Sequence, residues 1–179
     1  MRCLKSVNTV RRDNYHRTIL KGVLSWFVIL CLLFLVHNFL VPGNFSLEYN
    51  GVAFLALIFI YPLHKALYIL ASFKYRSNIS VQFVRRFYIS PCIQIKVKHM
   101  MPKRDYLFSL LFPFFAILFL LIVWMMMVPI WNSPVFLILM AVHFGISYPA
   151  FVLANNIRNL PKSCFIEEAK RGYSVLISD

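Results

Sequence analysis

Four side chains that can donate or accept protons share one apolar segment of this chain. They are Tyr61, His64, Lys65 and Tyr68, within residues 51–71. At about 100° per residue of α-helix they fall in one arc roughly 100° wide, so they form a polar stripe on a single helix face. Ionisable side chains are costly inside a bilayer and are usually functional there. We call these four residues the polar stripe.

The polar stripe has the spacing of the zinc-binding helix motif H-E-x-x-H, with two of its three working residues replaced. In that motif two histidines one turn apart hold the metal, and the glutamate takes a proton from the metal-bound water. Here His64 keeps the first position, Lys65 stands where the glutamate belongs, and Tyr68 stands where the second histidine belongs. Catalytic zinc normally has three protein ligands, and an ammonium repels the cation. We therefore assign no catalytic residue, no metal ligand and no cofactor.

The composition of the chain predicts that the stripe lies on a membrane-spanning helix. Apolar residues make up 60% of the 179 residues and aromatic residues 17%, far above a soluble domain of this size. Four segments are long enough to cross about 30 Å of hydrocarbon: 22–41, 51–71, 107–130 and 134–154. Buried helices of a soluble core are excluded, because too little polar sequence remains to cover them. The sequence predicts an all-α, four-span transmembrane bundle.

The distribution of basic residues predicts the orientation. Eighteen of the 19 Lys and Arg residues fall in the arm 1–21, the loop 72–106 and the tail 155–179, and Lys65 is the exception. The two short connections, 42–50 and 131–133, contain neither Lys nor Arg. By the positive-inside rule both termini and the loop are cytoplasmic, in a multi-pass protein of the cell membrane. The net charge of +13 then indicates contact with an anionic inner leaflet, and no nucleic-acid-binding motif accompanies it.

Residues 79–98 of the loop alternate between apolar and polar side chains. Ile79, Val81 and Phe83 alternate with polar residues, and so do residues 93–98 after Pro91. A period of two favours a short β-hairpin with Pro91 near the bend or at an edge. The alternative is an amphipathic loop lying on the lipid headgroups.

A second histidine within a predicted span, His143, is the candidate partner of the stripe in a cleft between spans two and four. The phenols of Tyr61 and Tyr68 could satisfy the His64 imidazole, while Lys65 extends toward the cytoplasmic end of its helix. Two interpretations of the stripe remain open: polar side chains that join helices, and a retained ligand-binding cleft. His37, near the outer end of span one, is expected at the surface.

Three further features occur in a characteristic order from about Phe54 to the end of the chain. They are the Pro62-Leu63-His64-x-x-Leu67 core of span two, the basic loop leading through Pro102-Lys103 into a span that contains Pro113, and the tail from Asn159-Leu160-Pro161-Lys162 to Glu167-Glu168 and Gly172-Tyr173. In this order the chain resembles the small bacterial membrane proteins described as putative zincin peptidases, a domain family of unknown function similar in design to site-2-type intramembrane metalloproteases. The resemblance implies a multi-pass bundle with a zinc site in the cytoplasmic half of the membrane.

The departures from that family pattern decide the predicted function. The resemblance implies an acidic metal ligand on a later span, yet none of the six acidic residues lies within a predicted span. We therefore expect a pseudoprotease that binds or regulates another membrane protein or a peptide. The alternative is an active intramembrane zinc metalloprotease with unrecognised ligands, and zinc is a cofactor only in that case. A small transporter is less favoured, because one buried lysine without an acidic partner gives little of an ion path.

Overall fold

Four long helices form the protein. The computed structural model describes residues 2–8, 12–40, 45–87, 90–97, 100–127, 132–161, 163–169 and 172–177. Helices α1 (Arg12–Leu40), α2 (Asn50–Ala71), α3 (Lys103–Met127) and α4 (Pro134–Arg158) are each long and apolar enough to cross a membrane. The predicted four-span bundle is confirmed, and the chain is a multi-pass membrane protein.

The helix ends differ from the predicted ones mainly toward the side of the bundle that carries both termini. Helix α2 begins one residue before predicted Gly51 and ends at Ala71 as predicted, whereas α1 and α3 begin well before Gly22 and Leu107. Helix α4 continues past Ala154 to Arg158. The predicted ends of spans one and three, at residues 41 and 130, lie outside the described residues, as do parts of the two short connections. The helices α1, α3 and α4 extend past the apolar segments because the residues that flank these segments continue the helical backbone.

Helices α2, α3 and α4 pack against one another, and α1 packs mainly on α4. The α1–α4 crossing is close because both helices present glycine: an added Cβ at Gly145 would lie 2.9 Å from Trp26 Cβ, and one at Gly22 would lie 3.4 Å from the Gly145 carbonyl oxygen. Small residues allow helix backbones to approach in lipid, where packing replaces the hydrophobic effect. Large apolar residues along α1, such as Phe27, Leu35 and Phe39, face outward.

A four-stranded antiparallel sheet covers one end of the bundle, and it was not predicted from the sequence. The strands are β1 (Arg2–Asn8), β4 (Met101–Pro102), β5 (Cys164–Ala169) and β6 (Gly172–Ile177), in the order β1-β6-β5-β4. Strand β1 pairs with β6, so both ends of the chain lie on the same side of the bundle. We call this the sheet side.

The sheet packs on the bundle through one apolar face. Cys164 and Ile166 of β5, and Tyr173 and Val175 of β6, are buried at alternate positions. Together with Met101 they contact buried residues of α3 and α4, namely Tyr106, Leu110, Ala154 and Ile157. Burying side chains of this size contributes about 1.5–3 kcal/mol each. The sheet and the helices therefore share one apolar core.

Residues 79–97 form the predicted hairpin. Strands β2 (Ile79–Phe87) and β3 (Ser90–Val97) pair antiparallel, with Phe87 opposite Ser90 and Pro91 opposite Arg85. Pro91 therefore lies next to the bend. The end of the predicted alternation, Lys98, lies outside the described residues.

The end of the bundle opposite the sheet is joined by short polar contacts. Ser133 caps α4 by accepting a hydrogen bond from the Phe136 amide at 3.3 Å, and its hydroxyl donates to Asn50 Oδ1 at 2.6 Å. His37 lies at the same end and is fully buried, stacked on Phe45 with ring centroids 4.6 Å apart. The expectation that His37 is a surface residue is wrong, because Phe45, just before α2, folds back over the end of α1.

Candidate functional site

The polar stripe lies on the side of α2 that faces the other helices. His64 is buried, with 8% of its surface exposed, and Tyr61, Lys65 and Tyr68 are half-buried. On the neighbouring face Pro62, Leu63 and Ala66 are exposed to the lipid region. Helical periodicity thus separates a polar inner face from an apolar outer one.

The structure brings His64 of α2 and His143 of α4 together. Their ring centroids are 6.5 Å apart, with the ring planes inclined at 59°. His143 is fully buried. The two rings meet because α2 and α4 are neighbours in the bundle, and each histidine lies on the facing side of its helix.

A backbone carbonyl and an aromatic ring hold His143 in place. Its Nε2 is 3.1 Å from the carbonyl oxygen of Phe114, and its ring stacks on the Phe114 ring with centroids 5.1 Å apart. A carbonyl can only accept, so Nε2 carries the proton and the neutral ring keeps a lone pair on Nδ1. Among the described residues no hydrogen-bond partner reaches His143 Nδ1 or His64 Nε2, although both atoms are buried.

The ammonium of Lys65 lies over the ring of Tyr61, 5.6 Å from its centroid. This distance permits a cation–π interaction, which is worth about 0.5–1 kcal/mol at partly exposed sites. The ammonium thus lies against the ring one turn earlier on α2, whereas it was expected to extend toward the end of the helix at Ala71. Any ligand of His64 has to tolerate a neighbouring positive charge.

The fourth stripe residue, Tyr68, binds a carboxylate from the tail. Glu168 Oε1 accepts one hydrogen bond from the phenol of Tyr68 and another from the phenol of Tyr106, each at 3.0 Å. Tyr68 lies on α2, Tyr106 on α3 and Glu168 on β5. We call these three residues the Glu168 cluster, and it joins the sheet to two membrane helices.

The alternation of β5 delivers Glu168 to this position. Cys164 and Ile166 point into the bundle, so Glu168, two residues further on, points the same way, while Glu167 lies on the other face. On β6 the opposite residue is buried Tyr173. The sequence signal for this face is weak, because residues 164–166 are all apolar and alternation in β6 is confined to Tyr173, Ser174 and Val175.

Two expectations about the stripe need correction. The phenol of Tyr68 donates to Glu168, so it does not satisfy His64 as predicted, because a carboxylate is a stronger acceptor than an imidazole. An acidic side chain does reach the motif helix, although none lies within a predicted span. It comes from the tail, which the sheet folds back over the sheet-side ends of the helices.

A second carboxylate lies at the edge of the bundle on the sheet side. Asp105 Oδ2 accepts a hydrogen bond from the Tyr75 phenol at 2.7 Å and lies 3.5 Å from Lys74 Nζ. Burial and this hydrogen bond to the carboxylate raise the pKa of Tyr75 to about 12. Nearby, Lys103 Nζ donates to the carbonyl oxygens of Arg158 and Leu160 and so caps the end of α4. Glu168 and Asp105 are therefore both bound to tyrosines.

The residues present do not fit a catalytic zinc ion. Zinc in hydrolytic sites takes three protein ligands and a water, and a site of this kind needs a carboxylate or similar base beside it. The structure offers His64 and His143, and no group of three His, Cys, Asp or Glu side chains close enough to hold a metal occurs among the described residues. Tyr68, at the position of the second motif histidine, is hydrogen-bonded to Glu168.

Comparison with known proteins matches this chain to one family. The model of a family described as putative zincin peptidase matches residues 57–165, which is more than half of the chain. The matched region begins on α2 before the polar stripe and ends on β5, so it includes both histidines of the site. No curated protein and no solved structure matches.

Proposed function

Since the chain belongs to the family of putative zincin peptidases, we propose that it is a non-catalytic member whose membrane bundle binds or regulates another membrane protein or a peptide. One observation carries the proposal. The residue at the second zinc-ligand position, Tyr68, donates its phenolic proton to Glu168 together with Tyr106. A neutral phenol engaged in this way is a structural contact between the sheet and the helices.

The absence of a carboxylate at the motif's base position supports the same conclusion. Lys65 stands there, and its ammonium lies over the Tyr61 ring. A protonated lysine cannot take a proton from water, and its charge disfavours a divalent cation beside His64. Two of the three functions of the H-E-x-x-H helix, the second ligand and the base, are thus replaced by side chains that cannot perform them.

Two features support a role in binding. The bundle is packed around the altered motif, with α2, α3 and α4 in mutual contact, so the fold does not depend on an intact zinc site. Helix α2 turns large apolar residues outward, among them Phe59, Leu63 and Leu70. This surface suits lipid or a second transmembrane helix. Exposed Lys74, Arg104 and Arg158 on the sheet side suit an anionic leaflet.

The test of inactivity measures zinc and proteolysis together. Purified protein should contain well under one equivalent of zinc, and membranes that contain it should cleave a panel of single-span reporter substrates no faster than membranes with His64→Ala. Cleavage that disappears in His64→Ala, together with stoichiometric zinc, would show that the protein is an enzyme.

The test of binding uses a photo-crosslinking amino acid at Leu63, on the lipid-facing side of α2. Met126, an exposed residue at the C-terminal end of α3, is the matched control position. A discrete protein adduct from position 63 and none from position 126 supports a partner on the motif helix. Lipid adducts alone from both positions contradict this partner site.

A second candidate is an active intramembrane zinc metalloprotease, and the unpartnered nitrogens of His64 and His143 favour it. Two imidazoles on facing helices supply two of the three protein ligands that catalytic zinc requires. A third ligand would have to come from a rearrangement that frees Glu168 from its tyrosines. Zinc binding and reporter cleavage that are both lost in His64→Ala and in His143→Ala, but kept in His37→Ala, would establish this candidate.

A further inference from the structure

Two buried imidazole nitrogens of the bundle interior, one on α2 and one on α4, have no hydrogen-bond partner among the described residues. His64 Nε2 and His143 Nδ1 both have this status, and both side chains are more than nine-tenths buried. Buried polar atoms in folded proteins are almost always paired, so each exception calls for an explanation. Two exceptions on rings 6.5 Å apart call for a common one.

We propose that His64 and His143 form a two-coordinate site for a soft monovalent cation, Cu⁺, which is structural and not catalytic. This site differs from the zinc site that the family name implies in the charge of the ion, in the number of ligands and in the use of His143.

The separation of the rings fits one bridging ion. An ion midway between the centroids would lie about 3.2 Å from each. With each coordinating nitrogen turned onto the line between the centroids, subtracting the radius of the five-membered ring leaves about 2 Å for each metal–nitrogen bond, close to the length that imidazole ligands adopt. A nearly linear arrangement on two nitrogens is one that d¹⁰ monovalent ions accept, whereas zinc requires four donors in a tetrahedron.

Charge also favours a monovalent ion. The electrostatic cost of burying an ion rises with the square of its charge, so a divalent ion costs about four times as much as a monovalent one in the same place. The Lys65 ammonium next to His64 raises that cost further. The carboxylate that contacts the stripe through Tyr68, Glu168, is hydrogen-bonded to Tyr68 and Tyr106.

The surroundings of His143 are those of an oriented ligand. Metal-binding histidines usually donate their second N–H to a carbonyl or carboxylate, which fixes the tautomer and the ring. His143 donates Nε2–H to the Phe114 carbonyl and stacks on the Phe114 ring. Nδ1 is therefore the atom left with a lone pair, and the ring is already held for coordination.

A bridging water is the competing explanation, since a water with two imidazole partners would also satisfy both nitrogens. A Cu⁺ site predicts that the protein takes up one equivalent of Cu⁺ through His64 and His143, whereas a bridging water predicts no such uptake.

The experiment titrates full-length protein in detergent with Cu⁺ under anaerobic, reducing conditions, in competition with a chromophoric chelator. His64→Gln and His143→Gln are the test variants. His37→Gln is the matched control, because His37 is equally buried at the far end of α1. Wild type and His37→Gln should bind one more equivalent of Cu⁺ than either test variant. The four cysteines and seven methionines, common to all samples, cancel in this difference.

X-ray absorption of wild type with one equivalent of Cu⁺ keeps the proposal testable if a variant fails to fold. Two nitrogen neighbours at about 2 Å with imidazole scattering are expected. Sulfur neighbours only, or equal Cu⁺ uptake by all four proteins, would overturn the site in favour of the bridging water. A zinc titration distinguishes failure of this site from failure of the proposed function. Stoichiometric binding of Zn²⁺ that depends on His64 would overturn both the Cu⁺ site and the proposed lack of catalysis. Binding of neither metal would overturn the Cu⁺ site alone.

Discussion

The contribution of the Glu168 cluster to the contact between the sheet and the membrane helices can be measured with Tyr68→Phe. The change removes a phenolic hydrogen bond of 3.0 Å to Glu168 Oε1 and leaves the aromatic ring in place. Hydrogen bonds to charged groups contribute about 1.5–3 kcal/mol, and the half-buried position of Glu168 favours the lower figure. We expect the free energy of unfolding to fall by about 1.5 kcal/mol.

A double-mutant cycle shows whether that energy belongs to this contact. In a Glu168→Leu background the phenols of Tyr68 and Tyr106 lose their acceptor, at about 1–3 kcal/mol each. There, Tyr68→Phe removes an unsatisfied hydroxyl and should be neutral or stabilising. Glu167→Gln is the control, because Glu167 lies on the opposite face of β5 and should change stability little.

Two measurements check the cycle: unfolding by sodium dodecyl sulfate in mixed micelles, and amide hydrogen exchange of β5 and β6. Tyr68→Phe and Glu168→Leu should both speed exchange in these strands and leave the middle of α3 unchanged. An equal cost of Tyr68→Phe in the wild-type and Glu168→Leu backgrounds would refute the coupling. Unchanged exchange in both variants would show that the apolar face alone holds the sheet.

Three further predictions concern the helix packing, the polar stripe and the orientation in the membrane. Gly145→Val should cost about 1–3 kcal/mol in the same unfolding assay, since a Cβ there would lie 2.9 Å from Trp26 Cβ, whereas Gly51→Ala, with no atom within 4 Å of its Cβ, should be tolerated; equal effects would contradict the close α1–α4 crossing. Lys65→Glu should not restore proteolysis and should lower membrane abundance, because a charged acid at this depth costs about 3 kcal/mol; Lys65→Glu with Tyr68→His should gain zinc affinity, measured by titration, and lose it again with His143→Ala. A reporter that functions only in the cytoplasm should be active when it is fused after Asp179. If only a reporter that functions outside the cell is active at this position, the predicted orientation is wrong.

The helices could be predicted from the sequence because each carries its own signal. A run of about 20 apolar residues is a local property, and α2 matches its predicted segment to within one residue. The neighbouring positions of His64 and His143 required only that spans two and four pack together. The hairpin of β2 and β3 was also within reach, since its alternation is contiguous and closes over a short bend.

The sheet and the Glu168 cluster could not be predicted in the same way, because their partners are far apart along the chain. Strand β1 pairs with β6 from the opposite end of the sequence, and β4 contributes only two residues. Short alternating patterns specify strand pairing weakly unless one face is known to be buried. A glutamate in a basic tail is ordinarily solvated, so nothing near Glu168 indicated two phenols from different helices.

The placement of charge around the stripe explains how His64, Lys65 and Tyr68 are accommodated in the bundle. A histidine at position 68 would be a metal ligand, whereas tyrosine is a hydrogen-bond donor that needs an acceptor when buried. Glu168 is that acceptor, shared with Tyr106, and Asp105 is similarly bound to Tyr75 and Lys74. Both carboxylates are thereby held at the sheet end of the bundle. Deeper in the bundle, the two imidazoles and Lys65 form a neutral-to-cationic region, which disfavours a divalent ion and favours ligands of low positive charge.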